Sequence, residues 1–389
     1  MQRDLVNHLD PKWGIDAGTP EVFSREGDEI QEGVIRSGED WYPVLRGVPC
    51  FLKGALRPDL GAFAQRHGLK SPRDAQAVSG QAEQAKTNVT FSDKWSRFRN
   101  YGLESTHQQF LQGWYCKKLG LASVDDLKAF YRDKERILEI GPGSGFNTRF
   151  MAENTTGTVF AADISEAAHT TYGNTRHLPN SHVVQADLMD LPFPEGYFDF
   201  VIADGVLHHT PDTRKAVEAL YRTVKPGGQF FFYVYKQMGA ARRFCDEFIR
   251  RSFTQLTPEE CYAACESLTE MGRELSRLDA KITLAKPIPI LDIPAGTHDV
   301  QRLVYYSFVK CFWNEAFDYE TNNMVNFDWY HPHNAWQHNE EEVTSWLKEL
   351  GVTQYQFNPA NPNGLSVLLR RPLGCTKGVT ESSAAGRVV

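Results

Sequence analysis

The stretch Arg136-Ile-Leu-Glu-Ile-Gly-Pro-Gly-Ser-Gly-Phe146 decides the fold class of this chain. An apolar strand carrying Glu139 runs here into a loop with three glycines, Gly141, Gly143 and Gly145. Glycine lets the backbone turn tightly and approach a ligand more closely than any residue with a Cβ atom. The dinucleotide fingerprint requires a further glycine where this chain has Phe146. The stretch therefore predicts a site for another nucleotide-sized cofactor, at the point where a strand becomes a helix.

Acidic residues follow the next three apolar runs in a regular order. Residues 158–162 lead into Asp163-Ile164, about 20 residues after the loop, where a carboxylate can accept hydrogen bonds from both ribose hydroxyls. Residues 182–186 lead into Asp187-Leu188, and the last of the three runs, residues 198–203, leads into Asp204. The spacing is that of repeated βα units.

This series resembles the class I S-adenosylmethionine-dependent methyltransferases of the small-molecule type found in bacterial biosynthetic clusters. The resemblance covers about residues 87–236 and 326–371. It implies an α/β fold, with a doubly wound, Rossmann-like sheet of seven strands and an antiparallel last strand, which residues 352–357 and 365–370 would complete. It also implies S-adenosyl-L-methionine as the cofactor and S-adenosyl-L-homocysteine as the product.

The resemblance also assigns cofactor contacts. Asp163 would bind the ribose, Asp187 and Leu188 the adenine, and Glu139 and Asp204 the methionine ammonium. An aromatic helix over residues 88–98, with Ser92 or Asp93 as its expected N-cap, would place Trp95 over the cofactor, although packing alone also explains this helix. The expected cofactor residues are Trp95, Glu139, Gly141, Gly143, Gly145, Asp163, Ile164, Asp187, Leu188 and Asp204.

The chemistry of a sulfonium methyl group sets what the protein must do. The methyl carbon is already a strong electrophile, so holding the acceptor in line with the methyl–sulfur bond and excluding water outrank acid–base catalysis. If the acceptor is a hydroxyl or an ammonium, a base must take a proton. His208 and His209 are the expected catalytic bases, and a role as hydrogen-bonded loop residues is the alternative.

Five regions follow from the pattern along the chain. We expect a small β-rich module (1–85), the cofactor-binding core (86–236), a helical insert (237–325), completion of the core (326–372) and a disordered tail (373–389). The module resembles the end of a zinc-ribbon-like domain but lacks the paired cysteines, so we expect it to hold no metal. Residues 71–86 indicate a linker or an exposed helix.

The insert is the expected acceptor-binding region, because an insertion after the fifth strand lies beside the edge of the sheet where ligands bind. Residues 242–251, 258–278 and 300–317 have helical apolar spacing, and Thr257 is a predicted N-cap. Asp328-Trp-Tyr-His-Pro332 resembles an element that borders the acceptor pocket in related bacterial enzymes. Any single residue here could instead anchor the insert to the core. The expected acceptor residues are Tyr305, Tyr306, Trp313, Asn326, Asp328, Trp329, Tyr330 and His331.

The composition of the chain limits the kinds of partner that we expect it to bind. The chain has 389 residues, a formal net charge of −7 and no dense block of Lys and Arg, which argues against a nucleic-acid substrate. It has no long apolar segment for a membrane and no signal-like start, so we expect a cytoplasmic protein. Seven scattered cysteines indicate neither disulfides nor a zinc site, and His331, His333 and His338 lack an acidic partner, so no metal is expected. The oligomeric state stays open, a homodimer included.

Together these features predict transfer of a methyl group to a polar small molecule, such as a natural product, an amino acid or a sugar intermediate, by in-line SN2 displacement. The alternative is a methyltransferase-like domain that binds the cofactor as a non-catalytic scaffold or regulatory protein. An NAD-dependent oxidoreductase is disfavoured by Phe146 and by Asp187.

Overall fold

The computed structural model describes residues 1–72, 80–358 and 362–373. Two short 3₁₀ helices, Arg3–His8 and Pro11–Trp13, precede an antiparallel sheet of four strands in sequential order, which is followed by a short α-helix. These elements are β1 (Glu21–Glu26), β2 (Glu29–Ser37), β3 (Asp40–Leu45), β4 (Val48–Pro49) and α1 (Gly61–Arg66). The expected small β element is therefore present.

Three helices precede the glycine loop: α2 (Gln81–Arg97), α3 (Ser105–Leu119) and α4 (Val124–Arg132). Helix α2 starts earlier than predicted, so the expected N-caps are wrong. Ser92 instead accepts a hydrogen bond from the backbone N–H of Glu166, and Asp93 pairs with Arg97 one turn on. The reason is that Gln, Ala, Glu and Lys, which are good helix formers, occupy the preceding turns.

The central region alternates strands and helices as the acidic run-ends predict. In chain order the elements are β5 (Arg136–Ile140), α5 (Phe146–Asn154), β6 (Thr158–Asp163), α6 (Ala167–Thr175), β7 (Ser181–Gln185), β8 (Phe198–Asp204), α7 (Thr213–Thr223) and β9 (Val224–Tyr235). Strand β5 forms because Ile137 and Leu138 are fully buried between the helical layers.

The insert is mostly helical but also contains a β-hairpin that the sequence did not predict. It comprises α8 (Ala240–Phe253), α9 (Pro258–Arg277), β10 (Lys281–Leu284), β11 (Gly296–Asp299), α10 (Val300–Ser307) and α11 (Tyr319–Tyr330). Thr257 caps α9 as expected, in a reciprocal capping box with Glu260. Then come α12 (Glu340–Glu349), β12 (Gln354–Asn358) and β13 (Gly364–Arg370).

The prediction of one helix over residues 300–317 is wrong, because α10 ends at Ser307. The following chain is held by side chains of other helices. The backbone N–H groups of Lys310, Phe312 and Asn314 donate hydrogen bonds to the side chains of Asp246, Asn326 and Asn322, respectively. These bonds replace the intrahelical ones at alternate residues, so the segment runs extended.

The main sheet has seven strands in the order β12-β13-β9-β8-β5-β6-β7. Strands β5 to β9 pair in parallel, and β13 pairs antiparallel with both β9 and β12. The predicted α/β fold with an antiparallel last strand is confirmed. In such a sheet the carboxyl ends of the parallel strands share one edge, which is where ligands bind.

The N-terminal elements pack on the sheet. Trp13, Ile30 and Ile35 belong to the same hydrophobic cluster as Leu138 and Phe160 of the central strands. Helix α2 also crosses the predicted boundary at residue 85. The division of the chain into five regions therefore stays a prediction. The predicted disordered tail, residues 373–389, lies outside the described residues from position 374 onward. Within the described ranges, no helix is both long and apolar enough to cross a membrane.

Candidate functional site

One cavity of about 1050 Å³ lies at the carboxyl ends of the parallel strands. Its floor is formed by the glycine loop and the ends of β5, β6 and β8, and its walls come from α2, α3 and the insert. Pockets for small ligands usually measure about 300–1,000 Å³. The cavity is therefore large enough for a nucleotide-sized cofactor and a second small molecule.

The glycine loop owes its shape to three left-handed residues. The φ angles of Gly141, Gly143 and Gly145 are +67°, +61° and +80°. A Cβ on Gly141 would lie 2.4 Å from Val206, and one on Gly143 would lie 2.5 Å from the ring of Trp95. Both the backbone angle and the space therefore require glycine. Trp95 also lines the cavity, as predicted from its helix.

Asp163 and Asp187 both line the cavity. Asp163 is 7% exposed, and its Oδ1 accepts hydrogen bonds from the backbone N–H and the hydroxyl of Ser165, at 2.8 and 2.7 Å. Burial raises the pKa of Asp163 to about 6, although these bonds oppose the shift. Asp187 caps a short turn through Met189, and burial raises its pKa too. Ile164 and Leu188, the other residues expected here, also line the cavity.

Glu139 lies deeper, at the start of the loop. Its carboxylate accepts hydrogen bonds from the side chains of Asn147, at 2.9 Å, and Thr148. Burial raises its pKa to about 7. Glu139 lines the cavity, and both of its oxygens are also tied to helix α5.

Asp204 has a partner that the sequence did not indicate. Both of its oxygens lie close to Nζ of Lys118, at 2.6 and 2.8 Å, and Lys118 is 5% exposed. An acid already paired with a lysine cannot by itself hold an ammonium as strongly as a lone carboxylate would. The pair instead offers both charges to the cavity. The neighbouring Lys117 is exposed, so only tertiary structure distinguishes the two lysines.

The two histidines expected as catalytic bases, His208 and His209, lie in different positions relative to the cavity. His209 lines the cavity, and its Nδ1 is 2.7 Å from the carbonyl oxygen of Asn334, so Nδ1 carries the proton and Nε2 holds the lone pair. Burial lowers the pKa of His209 to about 4. His208 is fully buried outside the cavity lining, with its ring 3.8 Å from that of Tyr235. Its position does not support the expected base role.

Four of the expected acceptor residues line the cavity: Tyr305, Tyr306, Asp328 and Trp329. Asp328 forms an ion pair with Lys94 at 3.0 Å, and the nearby lysine and histidine lower its pKa against the opposing effect of burial. The ring of Trp329 packs against that of Tyr235, with centroids 4.3 Å apart and an angle of 35° between the ring planes. The insert thus supplies an aromatic wall with one paired acid.

The other four expected acceptor residues face away from the cavity and bind protein groups. Asn326 bonds to the Phe312 backbone and the Thr269 hydroxyl. Tyr330 donates to Asp246, His331 contacts Thr90 and Leu256, and Trp313 donates to Glu315. These contacts match the anchoring alternative, because the side chains hold the extended segment and α11 in place.

Lys310 is a further cavity residue that the sequence reasoning missed. It is 5% exposed and lines the cavity, with Nζ 4.3 Å from the centre of the Trp329 ring. Burial lowers its pKa to about 7. A signal was available, because a single lysine inside the apolar run Phe308-Val-Lys-Cys-Phe-Trp313 is unusual for a surface loop.

His331 and His338 do not converge on one point: His331 contacts Thr90, whereas His338 pairs with Glu342. The expectation that these histidines lack an acidic partner is therefore wrong for His338, because Glu342 lies one helical turn further along the chain. A different group, Asp4, His8 and His182, brings its ligand atoms within 4.8 Å of one another outside the cavity wall. Nδ1 of His8 is 2.7 Å from the hydroxyl of Tyr197. The absence of a metal stays a prediction. All six cysteines in the described ranges are free.

Comparison with known proteins shows which family the central part of this chain resembles. Residues 138–232 match a family described as "Methyltransferase domain". An arginine-hydroxylase, NDUFAF5 of Rattus norvegicus, is 32% identical over 114 residues, covering 29% of this chain and 33% of that protein. The ubiquinone/menaquinone biosynthesis C-methyltransferase UbiE of Vibrio cholerae is 34% identical over 106 residues, covering 25% and 40%. The chain thus spans well under half the length of either relative.

Among solved structures, the DhpI complex with S-adenosylhomocysteine aligns over 76% of this chain and 99% of that one, with 17% identity and a TM-score of 0.39. A Burkholderia thailandensis 1,6-didemethyltoxoflavin-N1-methyltransferase aligns over 78% and 94%, with 14% identity and a TM-score of 0.40.

Four observations support the same family. They are the glycine loop, the acids at the strand ends, the order of the seven strands and the match of residues 138–232. The family predicted from the sequence is confirmed for residues 138–232, and S-adenosylmethionine is the cofactor of that family. Residues 138–232 therefore belong to a class I S-adenosylmethionine-dependent methyltransferase domain.

Proposed function

We propose that this chain transfers a methyl group from S-adenosylmethionine to a polar small-molecule acceptor, such as a natural product, an amino acid or a sugar intermediate. One observation carries the proposal: a single cavity joins the acidic strand ends to the aromatic wall of the insert. Cofactor and acceptor can therefore meet in one cavity, as in-line displacement requires.

The cofactor half of the cavity has a fitting set of groups. The glycine loop carries no Cβ at Gly143, where one would collide with the ring of Trp95, and Asp163 and Asp187 present carboxylates suited to ribose hydroxyls and an adenine amino group. Lys118 and Asp204 supply a cation and an anion for the carboxylate and ammonium of the methionine part. When bound there, S-adenosylmethionine supplies the electrophilic methyl group.

The acceptor half is enclosed by Tyr305, Tyr306, Phe312 and Trp329, with Asp328, Lys94 and Lys310 as polar groups. Apolar walls with a few placed polar groups are typical of small-molecule sites. We infer that the walls exclude water and that the polar groups orient the acceptor. Neither a nucleic acid nor a membrane partner is part of the proposal, and the cytoplasmic location is the one predicted from composition.

The experiment that tests the proposal uses S-adenosylmethionine with a deuterated methyl group. Purified protein and a fractionated extract of its source cells are incubated together, and mass spectrometry identifies any molecule that gains the label. Asp163→Asn should abolish labelling by weakening cofactor binding. Asp125→Asn, at a side chain that is 92% exposed, is the matched control and should leave labelling intact.

Binding of S-adenosylmethionine without any labelled small molecule would contradict the proposal and favour the scaffold alternative. Label on a macromolecule would contradict only the acceptor class. The relative named as an arginine-hydroxylase makes it worth searching the same spectra for a gain of oxygen in place of a methyl group.

A further inference from the structure

We propose that Lys310 is the general base of this site, so that the acceptor is a compound whose reacting hydroxyl or amino group loses a proton on methylation. This inference rests on the proposed function and goes beyond it by naming the base and the chemical class of the reacting group.

The geometry places the Lys310 amine where it can act. The side chain is 5% exposed and lines the cavity beside Trp329 and Tyr305. Throughout the described ranges, no hydrogen bond or ion pair holds its Nζ. The other two buried cavity lysines each pair with an acid, Lys94 with Asp328 and Lys118 with Asp204. Lys310 therefore remains available to a ligand.

The charges around Lys310 cancel in pairs. From α8 it faces Arg242 and Asp246, which form an ion pair at 2.6 Å, and from α11 and α2 it faces Asp328 and Lys94. Tyr305 of α10 adds a neutral phenol, since burial raises its pKa well above the ordinary value. With no net charge nearby, burial dominates and lowers the pKa of Lys310 to about 7. A substantial fraction of the amine is then neutral at neutral pH.

The main chain of Lys310 is fixed on both sides. Its N–H donates to Oδ1 of Asp246 at 3.1 Å, and its carbonyl oxygen accepts from the hydroxyl of Tyr330 at 3.0 Å. That hydroxyl also contacts Asp246, at 3.1 Å. Asp246 is thus a positioning residue, which holds the segment that carries the amine.

Lys310 suits proton removal better than His209 does. A general base works best when its pKa lies near the working pH. The pKa of His209 is lowered to about 4, so its Nε2 is a weak base, whereas the pKa of Lys310 is about 7. The histidine assigned from the sequence is more suited to accepting a hydrogen bond from the acceptor.

The proposed step balances as follows. The acceptor oxygen or nitrogen forms a bond to the methyl carbon while the carbon–sulfur bond breaks, and the electron pair of that bond stays on sulfur to give S-adenosylhomocysteine. The lone pair on Nζ of Lys310 takes the proton from the acceptor. The resulting ammonium returns that proton to water after the product leaves.

The first measurement needs no acceptor. Protein with ¹³C-labelled lysine ε-carbons is titrated by NMR, and the signal missing from Lys310→Met identifies the residue. We expect a midpoint near pH 7, against about 10.4 for an ordinary lysine. A midpoint above about 9.5 would overturn the proposal, because the amine would then be charged at neutral pH.

The second measurement uses the labelled-methyl assay. Lys310→Met and Lys310→Arg should both lower the transfer rate by about 10²- to 10⁴-fold, with unchanged calorimetric affinity for S-adenosylmethionine. Lys281→Met, at an exposed lysine of the same insert, is the matched control. Added methylamine should restore part of the rate in Lys310→Ala.

The outcomes separate the two proposals. If the wild-type protein labels nothing, the proposed function fails, and the base role fails with it. If the wild type labels a product but Lys310→Met keeps the full rate, only the base role is refuted. A Lys310→Arg variant that keeps the rate when Lys310→Met loses it would mean that the lysine binds an anion, which also overturns the base role.

Discussion

Asp246→Asn is expected to destabilise the insert strongly, because four donors converge on this carboxylate. Oδ2 accepts from Arg242 Nε at 2.6 Å and Trp329 Nε1 at 2.9 Å, and Oδ1 accepts from the Lys310 N–H and the Tyr330 hydroxyl, each at 3.1 Å. Asp246 and Arg242 are both 0% exposed. An amide keeps the shape of the carboxylate but turns an NH₂ group toward two of the donors and leaves the guanidinium without a counter-charge.

Breaking a buried ion pair by removing one partner costs about 3–5 kcal/mol. The lost hydrogen bonds are part of that cost and are not added to it, because the groups share one network. With a urea m-value of about 3 kcal/mol/M, the loss corresponds to a fall of about 1–1.7 M in the midpoint of the transition that unfolds the insert. Urea titration followed by tryptophan fluorescence measures the transition, and Trp329, which contacts Asp246, is one of the eight tryptophans that contribute to the signal.

Two variants make the result specific. Asp125→Asn removes an exposed carboxylate and should change the stability by less than about 0.5 kcal/mol. The double variant Arg242→Met with Asp246→Leu removes both charges and should recover only the part of the loss that comes from the unpaired guanidinium, because the donors of Trp329, Lys310 and Tyr330 still lose their acceptor. A midpoint for Asp246→Asn within 0.2 M of the wild type, on the order of 0.6 kcal/mol, would refute the reasoning.

Four further outcomes are expected. Gly143→Ala should weaken cofactor binding at least about tenfold, because a left-handed φ costs roughly 1–2 kcal/mol and the new Cβ would meet Trp95. Binding is measured by calorimetry, and Gly173→Ala, where a Cβ has open space, is the control. Trp95→Ala should weaken binding about tenfold, since a large ring contact contributes about 1.5 kcal/mol; unchanged affinity and turnover would leave only a packing role. Burial raises the pKa values of Asp163 and Glu139 to about 6 and about 7, so both carboxyls lose charge as the pH falls; affinity for S-adenosylmethionine should therefore fall several-fold from pH 7.5 to pH 5, and Asp163→Asn should reduce this fall without abolishing it. EDTA should leave turnover unchanged, and a loss restored by one divalent ion would contradict the predicted absence of a metal.

Much of the fold could be predicted because its signals are local. The alternation of apolar runs and helices, with acids following the runs, is a property of short segments and predicts repeated βα units, whereas the seven-stranded sheet with its antiparallel last strand was implied by the family resemblance. The hairpin of β10 and β11 and the end of α10 at Ser307 could not be predicted in this way. In the second case, Asp246, Asn322 and Asn326 compete for backbone donors that a helix would otherwise pair internally.

The candidate site likewise has a part that the sequence could predict and a part that it could not. All the predicted acids at the strand ends line the cavity, because their place in the sequence fixes their place at the sheet edge. The predicted acceptor residues are split, since neighbours on one helix point in different directions: Asp328 and Trp329 line the cavity, whereas Asn326 and Tyr330 bond to protein groups. Residue type alone does not separate these two roles.

The sequence by itself determined the class of the domain, the cofactor loop and the strand ends that surround it, because glycine at a left-handed angle and an acid after a buried strand are requirements of the local backbone. Only the tertiary structure decided which lysines matter. Lys118 pairs with Asp204, 86 positions away, while its neighbour Lys117 is exposed. Lys310 has a lowered pKa because helices distant in sequence bury it and pair off the charges around it. Burial and charge pairing arise from packing, so they become visible only once the chain is folded.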